Sequence, residues 1–115
     1  MPQIQRLDTG PRMSQAVVYG DTVYLAGQVN KDVADVSGQT AAILKQIDGL
    51  LSRTGSSKEK ILSATIYLAD IKTFADMNKA WDAWVPAGHC PARTTLEAKL
   101  AAPEYVVEIT VVAGK

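Results

Sequence analysis

Two stretches of helical hydrophobic period, set among runs of strand period, constrain the fold of this chain more than any other feature. Between Gln39 and Arg53 the apolar residues Ile43, Leu44, Ile47, Leu50 and Leu51 fall three and four apart, as one stripe of an amphipathic helix requires. Lys45, Gln46, Asp48 and Ser52 take the wet side, and Thr54-Gly55-Ser56-Ser57 ends the helix with Gly55 suited to a left-handed cap. Phe74, Met77, Trp81 and Trp84 make a second stripe. Thr73-Phe74-Ala75-Asp76 opens it as a capping signal in which the threonine oxygen accepts from the first turn, and Pro86 and Gly88 stop it.

The remaining patterned segments read as strands. Ala16 to Tyr19 and Val23 to Gln28, joined by Gly20-Asp21-Thr22, predict a β-hairpin, and Asn30 to Gly38 has loop composition. Ile61 to Leu68 alternates Leu62, Ala64, Ile66 and Leu68 with Ile61, Ser63, Thr65 and Tyr67, a strand with both faces partly covered. Two further strands lie around Arg93 and Glu108, giving the order β-β-α-β-α-β-β, preceded by a short strand at Ile4 to Leu7. The expected class is α+β, a mixed sheet with two helices packed on one face. At 115 residues, 47% of them hydrophobic, the chain reads as one domain over residues 1–115 that buries roughly two-thirds of its unfolded surface.

Pro91-Ala92-Arg93-Thr94-Thr95 and Val107-Glu108-Ile109 plant a guanidinium and a carboxylate in apolar strand patterns, where neither stays without a partner. Alternation groups Arg93, Thr95 and Glu97 on one face, and Val106, Glu108, Thr110 and Val112 on one face of the next strand. With Lys99 to Tyr105 as their connection, the two strands are expected to pair antiparallel and to show Arg93 and Glu108 together on the face away from the helices. There the pair either forms a cleft, Arg93 holding a planar carboxylate in bidentate geometry, or is an ion pair that only holds the sheet together. That face is too apolar to leave in water, and association into a small cyclic oligomer would cover it. Gly27, inside the run Leu25 to Val29, marks a bulge or a close approach of backbone to a ligand or subunit.

Several chemistries are disfavoured. Twelve basic and twelve acidic residues cancel, which argues against nucleic acid and against an anionic membrane surface. No apolar run approaches a membrane span, and the first residues, Met1 to Arg6, lack the apolar core of a signal peptide, so a cytoplasmic location is expected. His89 is the single histidine, which leaves neither a histidine-rich metal site nor a two-histidine ribonuclease mechanism within one subunit, and it reads as a loop residue. Cys90 reads as a packing residue and excludes an internal disulfide. Trp81 and Trp84 read as core or interface, and Asp70 as a turn residue. Phosphate-cradling glycine loops are absent.

The assembled pattern resembles the RidA family, also called YjgF or L-PSP and including RutC-like proteins. The matching pieces run from about Gly10 to Ala113: Gly20-Asp21-Thr22-Val23-Tyr24-Leu25-Ala26-Gly27-Gln28, Gln39, Gln46-Ile47, Leu50-Leu51, Gly55, Thr65-Ile66-Tyr67-Leu68-Ala69-Asp70, Phe74, Met77-Asn78, Pro91-Ala92-Arg93-Thr94-Thr95 and Val107-Glu108-Ile109. The resemblance implies a chorismate-mutase-like fold and a homotrimer with three inter-subunit clefts. It also implies hydrolytic deamination of 2-imino acids to 2-keto acids and ammonia, with no metal or organic cofactor. Carried over, Arg93 clamps the substrate carboxylate, Glu108 handles the attacking water, and Gly27 and Thr95 line the pocket through backbone groups. The chain departs from the family's best-known branch at Arg12-Met13 after Gly10-Pro11, at Ala26, at Trp81 and at Thr95, which keeps the carboxylate clamp and changes the pocket wall. Two other readings stand beside the deaminase: a non-catalytic ligand-binding or regulatory trimer for small carboxylic or 2-keto acids, and an endoribonuclease of L-PSP type.

Overall fold

The computed structural model describes residues 3–115 and contains six strands and two helices: β1 (Ile4–Leu7), β2 (Ala16–Tyr19), β3 (Thr22–Leu25), α1 (Val36–Arg53), β4 (Ile61–Leu68), α2 (Phe74–Trp84), β5 (Ala92–Glu97) and β6 (Val107–Gly114). They form one mixed sheet in the order β1-β2-β3-β6-β4-β5, in which β4 and β5 are parallel and every other neighbouring pair is antiparallel. Parallel strands need a crossover. Helix α1 carries the chain from β3 to β4 past the slot that β6 fills, and α2 carries it from β4 to β5. Both connections step the same way across the sheet, so the usual right-handed sense lands both helices on one face.

Between helices and sheet lies a core of Ile43, Leu44, Ile47 and Leu51 from α1, Met77 and Trp81 from α2, and inward residues of the strands such as Val23, Ile66, Leu68, Ile109 and Val111. Each such side chain contributes about 1.5–3 kcal/mol by leaving water. Among the described residues nothing covers the opposite face, and Ile4, Tyr19, Tyr24 and Leu96 stand there 39–49% exposed.

Local chemistry sets the element ends. The β2–β3 turn is two residues, with Gly20 at φ 61 as its first central residue, the position where a twisted hairpin demands glycine. Helix α1 starts three residues earlier than its hydrophobic stripe suggests, because Asp35 accepts from the Gly38 N–H and caps it. At its other end Gly55 adopts φ 80, and the Ser56 N–H reaches the Leu51 carbonyl at 2.8 Å. The capping expected of Thr73 does not occur: its hydroxyl donates to the Asp70 carbonyl at 2.6 Å, while the Asp70 side chain caps the short turn before α2 by accepting from the Lys72 N–H. In β4 a bulge between Ile61 and Ser63 buries Ile61 and leaves Leu62 58% exposed, so alternation fails at that end. Cys90 is exposed rather than packed, since the loop before β5 runs outside the core.

The ion pair found among the described residues joins Arg53, at the end of α1, to Asp8, which follows β1 in a left-handed conformation at φ 53. The Arg53 guanidinium donates to both carboxylate oxygens at 2.8 and 2.9 Å and holds the Asp8 carboxyl below its ordinary value. A carboxylate whose native pKa is depressed stabilises the fold above its unfolded pKa and loses that contribution as pH falls through the native one. Asp8→Asn, which tolerates the same backbone, is therefore expected to lower the thermal midpoint slightly at pH 7 and to match the parent in acid below the native carboxyl pKa. Melting curves from pH 7 to pH 2 check this.

Candidate active site

The two charged residues do not meet. Strand β4 lies between β5 and β6, so the expected antiparallel hairpin does not form, although the two strands do run in opposite directions. In register, Arg93 stands beside Ala64 and Thr95 beside Ile66, both core residues, which places Arg93 and Thr95 on the helix-covered face. Glu108 pairs with Tyr67 on the uncovered face. Two strand spacings and three residues along the strand put their α-carbons about 14 Å apart, with side chains on opposite faces. The sheet-holding ion pair is thereby ruled out as well.

Arg93 sits on the edge strand and turns toward α2. Its Nη1 donates to Asn78 Oδ1 at 2.7 Å, and its Cζ lies 5.3 Å from the Trp81 ring centre and 5.6 Å from that of Phe74. Phe74, Asn78 and Trp81 occur at helical spacing, so two successive turns of α2 present a polar anchor flanked by two aromatic side chains. The guanidinium is thus held in place, yet it has no carboxylate partner among the described residues and most of its five donors are unspent. Two residues along the same face, the buried Thr95 hydroxyl has no hydrogen-bond partner among the described residues. A fixed cation beside an orphaned hydroxyl suits a small carboxylate.

On the other face, Glu108 lies against Gly27. A β-carbon on Gly27 would overlap a Glu108 carboxylate oxygen and stand 2.9 Å from the carboxylate carbon, so the residue is glycine for close approach and not for backbone freedom. Gly27 falls in a bulge: Tyr24 pairs with Val112, but the ladder resumes one residue out of step, at Gln28 opposite Ile109. Beside Glu108 opens a cavity of about 270 Å³ lined by Tyr67, Thr110 and residues 98–101.

Sequence reasoning singled out Arg93, Thr95, Glu108 and Gly27, and the structure places them as two pairs on opposite faces of the sheet, Arg93 with Thr95 and Glu108 with Gly27. It missed the part of Asn78, whose signal was its place one helical turn from both Phe74 and Trp81. Trp81 is both core and a ring under Arg93. Gln46, expected in water, is half-buried and hydrogen-bonded to the Gln28 side chain. His89 is an exposed loop residue whose ring Nδ1 lies 3.1 Å from the Ala87 carbonyl, and no cluster of metal-ligating side chains occurs among the described residues. Among the described residues no helix is long and apolar enough to cross a membrane.

A six-stranded mixed sheet with two helices on one face defines a class of small α+β proteins with known members. The sequence profile of the Endoribonuclease L-PSP family matches residues 3–115. The chain is 51% identical over 111 residues to the RutC family protein YoaB of Escherichia coli strain K12, covering 96% of this chain and 97% of that one. Among solved structures it superposes on NMB1025 of Neisseria meningitidis, a member of the YjgF protein family, with TM-score 0.97 and 45% identity over 98% of this chain and 95% of that one. It also superposes on YyfA of Yersinia pestis, of the Rid protein family, with TM-score 0.87 and 29% identity over 93% and 90%. The chain belongs to the L-PSP endoribonuclease family, which its relatives represent under the names RutC, YjgF and Rid.

Proposed function

We propose that this protein hydrolyses 2-imino acids to 2-keto acids and ammonia in clefts shared between the copies of a homotrimer, with Arg93 and Thr95 supplied by one copy and Glu108 and Gly27 by the next. The observation that carries this reading is the division of the site: a fixed, unneutralised arginine on the edge strand and a cleared carboxylate on the bare face cannot converge within one chain. In a three-fold ring each contact joins two different surfaces, and the β5 edge of one copy against the β6 face of its neighbour is such a pair. The exposed Tyr24, Tyr19 and Leu96 on that face favour the same assembly.

The chemistry asks little beyond placement. Arg93 and the Thr95 hydroxyl hold the substrate carboxylate, which fixes the iminium carbon near Glu108. Glu108 takes a proton from water as its oxygen bonds to that carbon, giving a carbinolamine. Glu108 passes that proton to the nitrogen, the C–N bond breaks, and ammonia leaves as the glutamate takes the hydroxyl proton and the carbonyl forms. The iminium carbon is electrophilic already, so the reaction needs no cofactor.

The testing experiment generates 2-iminopropanoate with an amino acid oxidase and follows its disappearance with and without the protein, alongside its mass by light scattering. Arginine-dependent acceleration by a trimer is expected. A monomeric mass at micromolar concentration would sink the shared cleft, and keto-acid binding without ammonia release would favour the ligand-binding reading. The family's ribonuclease name finds little support in a chain with balanced charge and one exposed histidine, and RNA cleavage indifferent to Arg93 would be needed to revive it.

Gly27→Ala tests the Glu108 half. Because the colliding group is the end of a flexible side chain, the fold should survive with its melting point nearly unchanged while the carboxylate is displaced. Turnover is expected to fall about 10- to 100-fold, the cost of an ångström-scale misplacement. Steady-state kinetics beside thermal melting separate the two effects.

A further inference from the structure

We infer that Gln28 is a positioning residue that selects the strand register in which Gly27 clears the Glu108 carboxylate, an inference that rests on the catalytic role proposed for Glu108. Two registers are open to the segment after β3. Continuing the β3–β6 ladder without a bulge would set Gly27 opposite Ile109 and Gln28 opposite Glu108, on the bare face. The structure instead skips one residue. Gln28 and Ile109 exchange both backbone hydrogen bonds, at 2.8 and 3.1 Å, so the Gln28 side chain lies on the core side and Gly27 is left beside Glu108.

The Gln28 side chain is what distinguishes the two. At 6% exposure its amide is satisfied only in the bulged register: Nε2 donates to the Ala26 carbonyl at 3.0 Å and to Gln15 Oε1 at 2.9 Å, and Oε1 accepts from Gln46 Nε2 at 3.2 Å. Gln46, on α1, also donates to the Val29 carbonyl at 3.2 Å and accepts from Asn30 Nδ2 at 2.7 Å. The bulge is therefore gripped at the Ala26 and Val29 carbonyls on either side of Gly27 and tied to the helix. Every amide donor of Gln28 and Gln46 is spent inside this network, so the adjoining cavity of about 270 Å³, lined by these glutamines, Asp8 and Arg53, has little left to offer a ligand. The network holds backbone.

The test uses Gln28→Leu, which keeps the volume and the preference for the core side but donates nothing, and Gln46→Leu, which removes one of the three bonds to Gln28. If hydrogen bonding positions Glu108, Gln28→Leu should lower kcat about tenfold or more with KM within about threefold, because the Arg93 half-site is untouched. Gln46→Leu should act in the same direction and less strongly, and it carries the test if Gln28→Leu does not fold. A folded Gln28→Leu protein with unchanged kcat, or one in which KM alone rises, overturns the inference. If the wild-type protein shows no turnover, the proposed reaction has failed but positioning is still readable from carboxyl NMR of Glu108. A titration midpoint displaced in the variants supports the role, and an unmoved one overturns it.

Discussion

Arg93→Ala is expected to abolish both turnover and carboxylate binding while leaving the chain folded. A bidentate pair to a carboxylate comprises two charge-assisted hydrogen bonds of about 1.5–3 kcal/mol each, so kcat/KM should fall about 10²- to 10⁴-fold. The fold loses much less. The stacking on Phe74 and Trp81 is worth about 0.5–1 kcal/mol per ring at a partly exposed site, and Trp81 keeps its place in the core. Arg93→Lys should recover little, since an ammonium cannot stack on the aromatic rings as a planar guanidinium does or meet a carboxylate with a fork of donors. Isothermal titration with pyruvate and the imine assay measure the two losses independently. Retained binding in Arg93→Ala would place the anion elsewhere.

Glu108→Gln is expected to do the reverse, binding the keto acid normally and losing about 10²- to 10⁴-fold in kcat, the range spanned by removal of a general base. The substitution is isosteric and the glycine opposite leaves room for it. An unchanged rate would disprove the role given to the carboxylate. The two variants together decide where the cleft lies. In a site built within one chain, mixing Arg93→Ala and Glu108→Gln subunits restores nothing. In a site shared between copies, random cyclic assembly of an equal mixture joins an intact arginine to an intact glutamate at about one cleft in four, and about a quarter of the wild-type activity should return on co-refolding.

Much of the fold was legible because it is written in local period. The stripe Ile43, Leu44, Ile47, Leu50 and Leu51 could only be a helix face, and Gly55 ended it as its freedom at positive φ allows. The strands followed from alternation, and Gly27 announced a close approach that proved to be with Glu108. Asp35 and Asp70 were harder to assign, because a short acceptor side chain caps whichever N–H the backbone path brings to it, and the sequence pattern had given the cap to Thr73 and read Asp70 as a turn residue. The buried glutamines gave no signal at all. A Gln46 facing solvent and a Gln46 bonded to Gln28 have the same place in the helical pattern.

The sequence by itself determined which residues share a face: Arg93 with Thr95, and Glu108 with Thr110, follow from a side-chain period of two whatever the strands pair with. Only the tertiary structure decided which face each set occupies and which strands are neighbours. A chain carried across the sheet twice by helices leaves a slot that a distant strand can fill, and β6 entering between β3 and β4 leaves β4 between β5 and β6. That insertion, fixed by burial of Val107, Ile109 and Val111 under the helices, sends the arginine to one side of the sheet and the glutamate to the other. Alternation is a local property of the backbone, whereas pairing is a contest among strands far apart in sequence.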